Sequence, residues 1–100
     1  MNINLPESTL AIALAHYGTQ PLAGELARKL LQIKSPLLIC DVLDLPIDNL
    51  VMCFEALTKY YDDNLQFKKA KEDTLKMVKV IQKELSIEIE KRHKNAGDTN

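Results

Sequence analysis

The chain has 100 residues, of which 46% are hydrophobic and 27% are charged, with two cysteines, three glycines and four prolines. These proportions suit one globular domain and exclude global disorder, a collagen-like repeat and a disulfide scaffold. The net charge of −1 gives no overall attraction to nucleic acid or anionic lipid. It hides an acidic front, with four basic against eight acidic residues over 1–63, and a basic back, with nine against six over 64–100. The low content of aromatic residues and glycine favours an all-α fold.

The longest unbroken apolar run, residues 10–15, is too short to cross a bilayer, which takes about 20 residues. The N-terminus lacks a basic start followed by a long apolar stretch, so no signal peptide is expected. We therefore expect a cytoplasmic protein without a membrane partner. Cys40 and Cys53 both lie in apolar stretches, and we expect them to be reduced structural thiols.

Four prolines mark the starts of predicted helices, because proline is accepted in the first turn of a helix and resisted in its interior. The helices predicted from these starts cover residues 6–17, 21–33, 36–45 and 46–61. The first of them, which Gly18 ends, is apolar almost all round. That pattern predicts burial on more than one side.

Residues 36–45 are ambiguous, since a short apolar run can be a buried strand or a buried helix. Asp41 and Asp44 are three residues apart, which places them on one side of a helix but on opposite faces of a strand. A strand would have to bury one carboxylate, and burying an unpaired carboxylate is costly. The pattern therefore favours a short helix.

The fourth predicted helix has an apolar stripe at steps of three and four residues, with a more polar face opposite. The stripe comprises Ile47, Leu50, Phe54, Leu57 and Tyr61, and the opposite face comprises Asp48, Met52, Glu55, Lys59 and Asp62. The run 62–64 breaks this pattern. Asp63 is placed to cap the next helix, with Gln66 reaching back to it.

The last predicted helix, 64–93, is the longest because this stretch contains neither proline nor glycine. At 1.5 Å per residue it measures about 45 Å, whereas a compact chain of this length has a radius of gyration of about 13 Å. Such a helix overhangs its domain and must fold back or pack on a second chain. Residues 95–100 are expected to form a disordered tail. The helix is predicted to bind a second chain through an apolar seam formed by Phe67, Ala70, Thr74, Val78, Ile81 and Leu85.

Cys40, Asp44 and Leu50 are spaced as a small residue, a turn residue four positions later and an aliphatic residue six positions after that. With the stretch 42–50, this spacing resembles a helix-turn-helix unit, and more loosely the core of winged-helix domains. Residues 21–33 take the place of the supporting helix, so the resemblance covers residues 21–60. It implies that the helix after residue 46 is a recognition helix for the major groove of DNA.

A nucleic-acid hypothesis follows from this resemblance. Asn49 is placed to contact bases, and the residues placed to contact phosphates are Lys59, Lys68, Lys69 and Lys71. The lysine stripe continues along the last helix with Lys76, Lys79 and Lys83. Because acidic residues interleave with these lysines, a solvated helix face is the simpler explanation of the stripe.

The chain shows no pattern that indicates catalysis, a metal site or a cofactor. The glycines stand apart, so no phosphate-binding loop is predicted, and the cysteines and histidines lack the spacing of zinc ligands. We predict a non-catalytic regulatory or adaptor protein that binds a protein partner and self-associates as a homodimer through its long helix. An acidic face is expected to bind a basic partner, such as a nucleic-acid-handling protein, through Asp41, Asp44, Asp48 and Glu55. The alternative is a helix-turn-helix transcriptional regulator that binds DNA.

Overall fold

The computed structural model describes residues 4–5, 9–33, 37–68 and 70–98. Within them the chain forms helices α1 (Thr9–Tyr17), α2 (Ala23–Ile33), α3 (Ile39–Leu43), α4 (Ile47–Phe67) and α5 (Glu72–Asp98). Two short strands, β1 (Asn4–Leu5) and β2 (Leu37–Leu38), pair antiparallel. The predicted all-α fold with a long C-terminal helix is confirmed. None of the described helices is both long and apolar enough to span a membrane.

The front of the chain follows the predicted helices with shifted starts. α1 is described from Thr9, and α2 begins at Ala23, after a turn that contains Pro21. The segment predicted as one short helix is only partly helical, because β2 precedes α3 and pairs with β1. Pro6 and Pro36 lie outside the described residues.

α1 packs against both α2 and α4. Leu10, Ala13 and Leu14 are fully buried, as expected for a helix that is apolar almost all round. Full burial of each leucine contributes about 1.5–3 kcal/mol to folding. Gly18 permits the close approach of α2, because a Cβ atom at this position would collide with the side chain of Ala23.

α4 has neighbours on two sides, α1 and α5, so its buried arc is wider than the predicted stripe. Leu50 and Leu57 of that stripe are fully buried, but so are Met52 and Cys53. The prediction that Met52 lies on the outer face is therefore wrong. A single apolar stripe describes a helix with one neighbour, and α4 has two.

The predicted boundary between the last two helices is also wrong. α4 runs through 62–64 without a break and ends at Phe67, where Lys68 takes the left-handed conformation (φ 52°, ψ 40°). Asp63 therefore lies inside α4 and caps nothing. It accepts a hydrogen bond from the Tyr17 hydroxyl, and this bond, with some burial, raises the pKa of Tyr17.

α5 begins at Glu72, later than predicted, and continues to Asp98, so residues 95–98 are helical and not a disordered tail. Its 27 residues measure about 40 Å, close to the longest dimension of the molecule, 46 Å. The predicted overhang is wrong because α3, α4 and β1 all lie against α5.

Candidate interaction face

α4 and α5 form an antiparallel hairpin whose register is fixed by two side-chain contacts. The Gln82 amide donates a hydrogen bond to the Thr58 hydroxyl oxygen at 3.1 Å. Three residues later on α4, the Lys79 ammonium nitrogen lies 4.9 Å from the ring centre of Tyr61, a cation–π arrangement. A step forward along α4 is thus matched by an equal step back along α5.

A groove runs along one side of this hairpin. It consists of two adjoining depressions of about 600 and 440 Å³ that share Lys79 and Val80. The α4 wall is formed by residues at steps of four, three and four, the spacing that keeps side chains on one face of a helix. These residues are Phe54, Thr58, Tyr61 and Leu65. We call the groove and the exposed residues beside it the hairpin face.

Much of the hairpin face is apolar and open to solvent. Leu65 is 55% exposed and Val80 is 44% exposed. Ile87, seven residues after Val80 and therefore on the same side of α5, is 52% exposed. Large apolar residues that are exposed together on one face indicate a surface that another molecule covers.

Charged side chains of both signs lie along the hairpin face. On α5 three exposed lysines follow each other at steps of three and four and line the groove itself: Lys76, Lys79 and Lys83. Because Lys79 lies over Tyr61 of α4, these lysines stand between α4 and Val80. On α4 three exposed carboxylates are seven residues apart, Asp48, Glu55 and Asp62, and the exposed Lys59 stands between the last two. Glu55 and Asp62 each follow a groove residue by one position, so they lie on the flank of α4 that faces away from α5.

The two thiols lie in different environments. Cys53 is buried, and burial raises its pKa from 9.0 to about 12. Cys40 is exposed, so the expectation of an apolar environment is confirmed for Cys53 and wrong for Cys40. The reason is the length of α3, a five-residue helix that buries Ile39 and Val42 and leaves Cys40 at the surface.

The predicted seam of the last helix does not form a surface. Val78, Ile81 and Leu85 are fully buried in the core of the chain itself, and Thr74 is half-buried. Phe67 belongs to α4 and Ala70 to the connection before α5. The prediction that this seam binds another chain is therefore wrong. Its apolar spacing arises because α5 packs against the chain's own helices.

The predicted acidic face divides into two parts. Asp48 and Glu55 lie on one face of α4, and Glu55 also accepts a hydrogen bond from the Thr19 hydroxyl at 3.3 Å. Asp44 is exposed in the turn before α4. Asp41 is half-buried, and its Oδ2 atom is buried without a hydrogen-bond partner among the described residues. Asp62 is not among the residues predicted for this face, but its distance of seven residues from Glu55 places it there as well.

The residues of the nucleic-acid hypothesis are spread along the molecule. Asn49 lies half-buried near the start of α4, and Lys68 and Lys71 lie beyond its far end, about 27 Å away along the helix. Lys59 is exposed between them, and Lys69 lies outside the described residues. The structure therefore does not gather these side chains into one patch.

No cluster of three or more histidine, cysteine, aspartate or glutamate side chains suited to a metal ion occurs in the part of the chain that the structure describes. No protein-family model, curated protein sequence or solved structure matches this chain. Functional inference therefore depends on the surface chemistry of the molecule itself, and above all on the hairpin face.

Proposed function

We propose that this protein is a small non-catalytic adaptor that binds another protein chain through the hairpin face. The observation that carries the proposal is a groove between α4 and α5 that combines exposed apolar side chains with a row of lysines on its α5 side. A groove between two helices accepts an amphipathic helix, whose apolar residues fill it at helical spacing. The lysines of the groove favour a helix with acidic residues beside α5, and the carboxylates on the outer flank of α4 favour basic residues there.

The lining of the groove supports binding in preference to turnover. Among the described residues, the larger depression is lined by two hydroxyl groups, an amide, two lysines and two apolar side chains. Neither Thr58 nor Ser86 has a carboxylate or imidazole in that lining to act as its general base. The hydroxyl, amide and ammonium groups of this lining are suited to hydrogen bonds and ion pairs that fix the position of a bound chain.

The carboxylates on the outer flank of α4 also support the kind of partner expected from the sequence. Asp48, Glu55 and Asp62 recur every seven residues, so they present carboxylates at about 10 Å intervals along one line. A helix with basic residues at the same interval matches them, and such helices are common in proteins that handle nucleic acid. Regulation by this adaptor then consists of occupying that basic helix.

Capture of partners from the source cell by the tagged full chain tests the proposal. Val80→Glu places a carboxylate in the groove, where a bound helix leaves it without water, so we expect at least about a tenfold loss of capture. Leu31→Glu is the matched control, because Leu31 is 56% exposed and lies on α2. Equal capture by both variants contradicts the proposal, and so does the absence of any captured protein.

DNA binding is the second candidate, favoured by the local order of α3, a turn over 44–46 and α4. We rank it second because Asp44 and Asp48, both exposed, flank the helix start that would approach phosphates. A fluorescence titration with mixed-sequence duplexes at low salt tests it. Binding that weakens steeply as salt rises supports it, and no binding at low salt removes it.

A further inference from the structure

We propose that the groove of the hairpin face binds an acidic amphipathic helix of the partner, whose carboxylates pair with the lysines of α5. The inference rests on the adaptor proposal and deepens it, because it names the chemistry that the groove selects. Of the two charged rows on this face, the lysines line the groove. The carboxylates lie on the flank of α4 that faces away from α5. A chain that lies in the groove therefore contacts the lysines.

The larger depression offers hydrogen-bond donors and positive charge, and no carboxylate is among the described residues that line it. Thr58 and Gln82 already hold each other. The Thr58 hydroxyl donates a hydrogen bond to a backbone carbonyl of its own helix at 2.9 Å and accepts one from the Gln82 amide at 3.1 Å. The groups that remain to bind a ligand are the Ser86 hydroxyl and the ammonium groups of Lys79 and Lys83.

The charge of the lysines is not compensated within the chain. None of Lys76, Lys79 and Lys83 forms an ion pair with another described residue. Lys79 lies 4.9 Å from the ring centre of Tyr61, and a cation–π contact positions an ammonium group without neutralising it. Exposed cations one helical turn apart attract carboxylates at the same spacing. A helix with acidic residues at steps of three and four has that spacing.

The surroundings of the lysine row favour a protein ligand over nucleic acid. The row from Lys76 to Lys83 covers only about 10 Å of α5. Exposed Glu72 lies four residues before it, and exposed Glu90 lies seven residues after it. A nucleic-acid backbone that continues past either end brings its phosphates to these carboxylates. Beside the row, Val80 is 44% exposed, and apolar side chains cover it best. An acidic amphipathic helix supplies both the carboxylates and the apolar cover.

Two synthetic helical peptides test the inference by fluorescence anisotropy with the full chain. Both carry the same leucine stripe, with glutamates beside it at steps of three and four in one peptide and lysines at the same positions in the other. Lys79→Glu with Lys83→Glu reverses the charge of the groove. Lys91→Glu with Lys94→Glu is the matched control, because both lysines are exposed on α5 outside the two depressions.

The preference between the two peptides gives the result. We expect the wild type and the control to bind the glutamate peptide at least about tenfold more tightly than the lysine peptide, with an affinity that falls as salt rises. The groove variant is expected to reverse the preference, and binding of the lysine peptide then also shows that this variant is folded.

Four results overturn the inference: no binding of the glutamate peptide, equal binding of both peptides by the wild type, an unchanged preference in the groove variant, or tighter binding of a single-stranded oligonucleotide than of the glutamate peptide. The adaptor proposal is tested separately. If capture from cells is lost in Val80→Glu but unchanged in Lys79→Glu with Lys83→Glu, the acidic helix is wrong and the adaptor proposal stands.

Discussion

Arg92 links the C-terminal half of α5 to the turn that precedes α4. Its Nη1 and Nη2 atoms donate hydrogen bonds of 2.6 Å to the backbone carbonyls of Leu45 and Leu43, and its Nε lies 3.1 Å from Glu88. The carbonyls at the end of a helix have no partner within that helix. Arg92 supplies one for the end of α3, and it thereby fixes where α4 begins.

We expect Arg92→Met to lower the free energy of unfolding by about 1–2 kcal/mol, because hydrogen bonds from a charged donor are lost at a site that is partly exposed. Urea denaturation followed by circular dichroism measures the change. Lys94→Met is the control, since Lys94 is exposed nearby on the same helix. Equal stability of the two variants contradicts the assigned contact.

The two cysteines are expected to differ in reactivity. The thiolate is the reactive form, and burial raises the pKa of Cys53 to about 12, so this residue is protonated and shielded at mildly alkaline pH. Cys40 is exposed and is expected to react at once with a thiol reagent. Titration of the native protein with the thiol reagent is therefore expected to show one rapidly reacting thiol, and titration in denaturant is expected to show two. Two fast thiols in the native protein contradict the placement of Cys53 in the core.

At the scale of the elements, the α4–α5 connection is the feature that the sequence conceals. Lys68 adopts a left-handed conformation, which costs a residue with a Cβ atom about 1–2 kcal/mol. Glycine is the usual residue there, and a lysine gives no such signal. The sequence therefore predicts the helix break at the acidic run 62–64, which the structure places within α4.

We expect Lys68→Gly to stabilise the protein by about 0.5–1 kcal/mol, because glycine adopts the left-handed conformation without steric cost. Lys71→Gly is the matched control, since Lys71 has a negative φ and gains nothing from glycine. Thermal denaturation of both variants measures the difference. A loss of stability in Lys68→Gly equal to that in Lys71→Gly contradicts the assigned end of α4.

A substitution at Ile81 tests whether the apolar seam of α5 is buried within one chain. Ile81→Val removes one methylene group from the core, and we expect it to lower the free energy of unfolding by about 0.5–1.5 kcal/mol. Ile12→Val, at a position 43% exposed, is expected to change it by less than about 0.5 kcal/mol. Urea titrations at several protein concentrations check both variants. If the loss in Ile81→Val disappears on dilution, Ile81 lies at an interface between chains.

Other elements could be predicted because their signals are local. Leu10 and Leu14 of α1, and Leu50 and Leu57 of α4, recur at helical spacing and are all buried. Burial from two sides could not be predicted in the same way, because Met52 becomes buried through a neighbour that is distant in sequence. The pairing of β1 with β2 is likewise a contact between distant segments.

At the scale of the whole molecule, the uneven distribution of charge becomes a geometric feature. The acidic front contributes the carboxylates on the outer flank of α4, the basic back contributes the lysines that line the groove on α5, and the hairpin sets the two rows side by side. The candidate face could be predicted only in part. The sequence indicated Asp48, Glu55 and the lysine stripe, but the groove between them depends on which helices pair.

The central claim is that this protein binds another protein chain through the hairpin face. Backbone amide NMR spectra of the full chain, recorded before and after addition of the captured partner, test it most directly. We expect shifts along α4 and α5 at Tyr61, Leu65 and Val80, with α2 unchanged around Leu31. Shifts confined to α2 or α3, or spectra that do not change when the partner is added, contradict the claim.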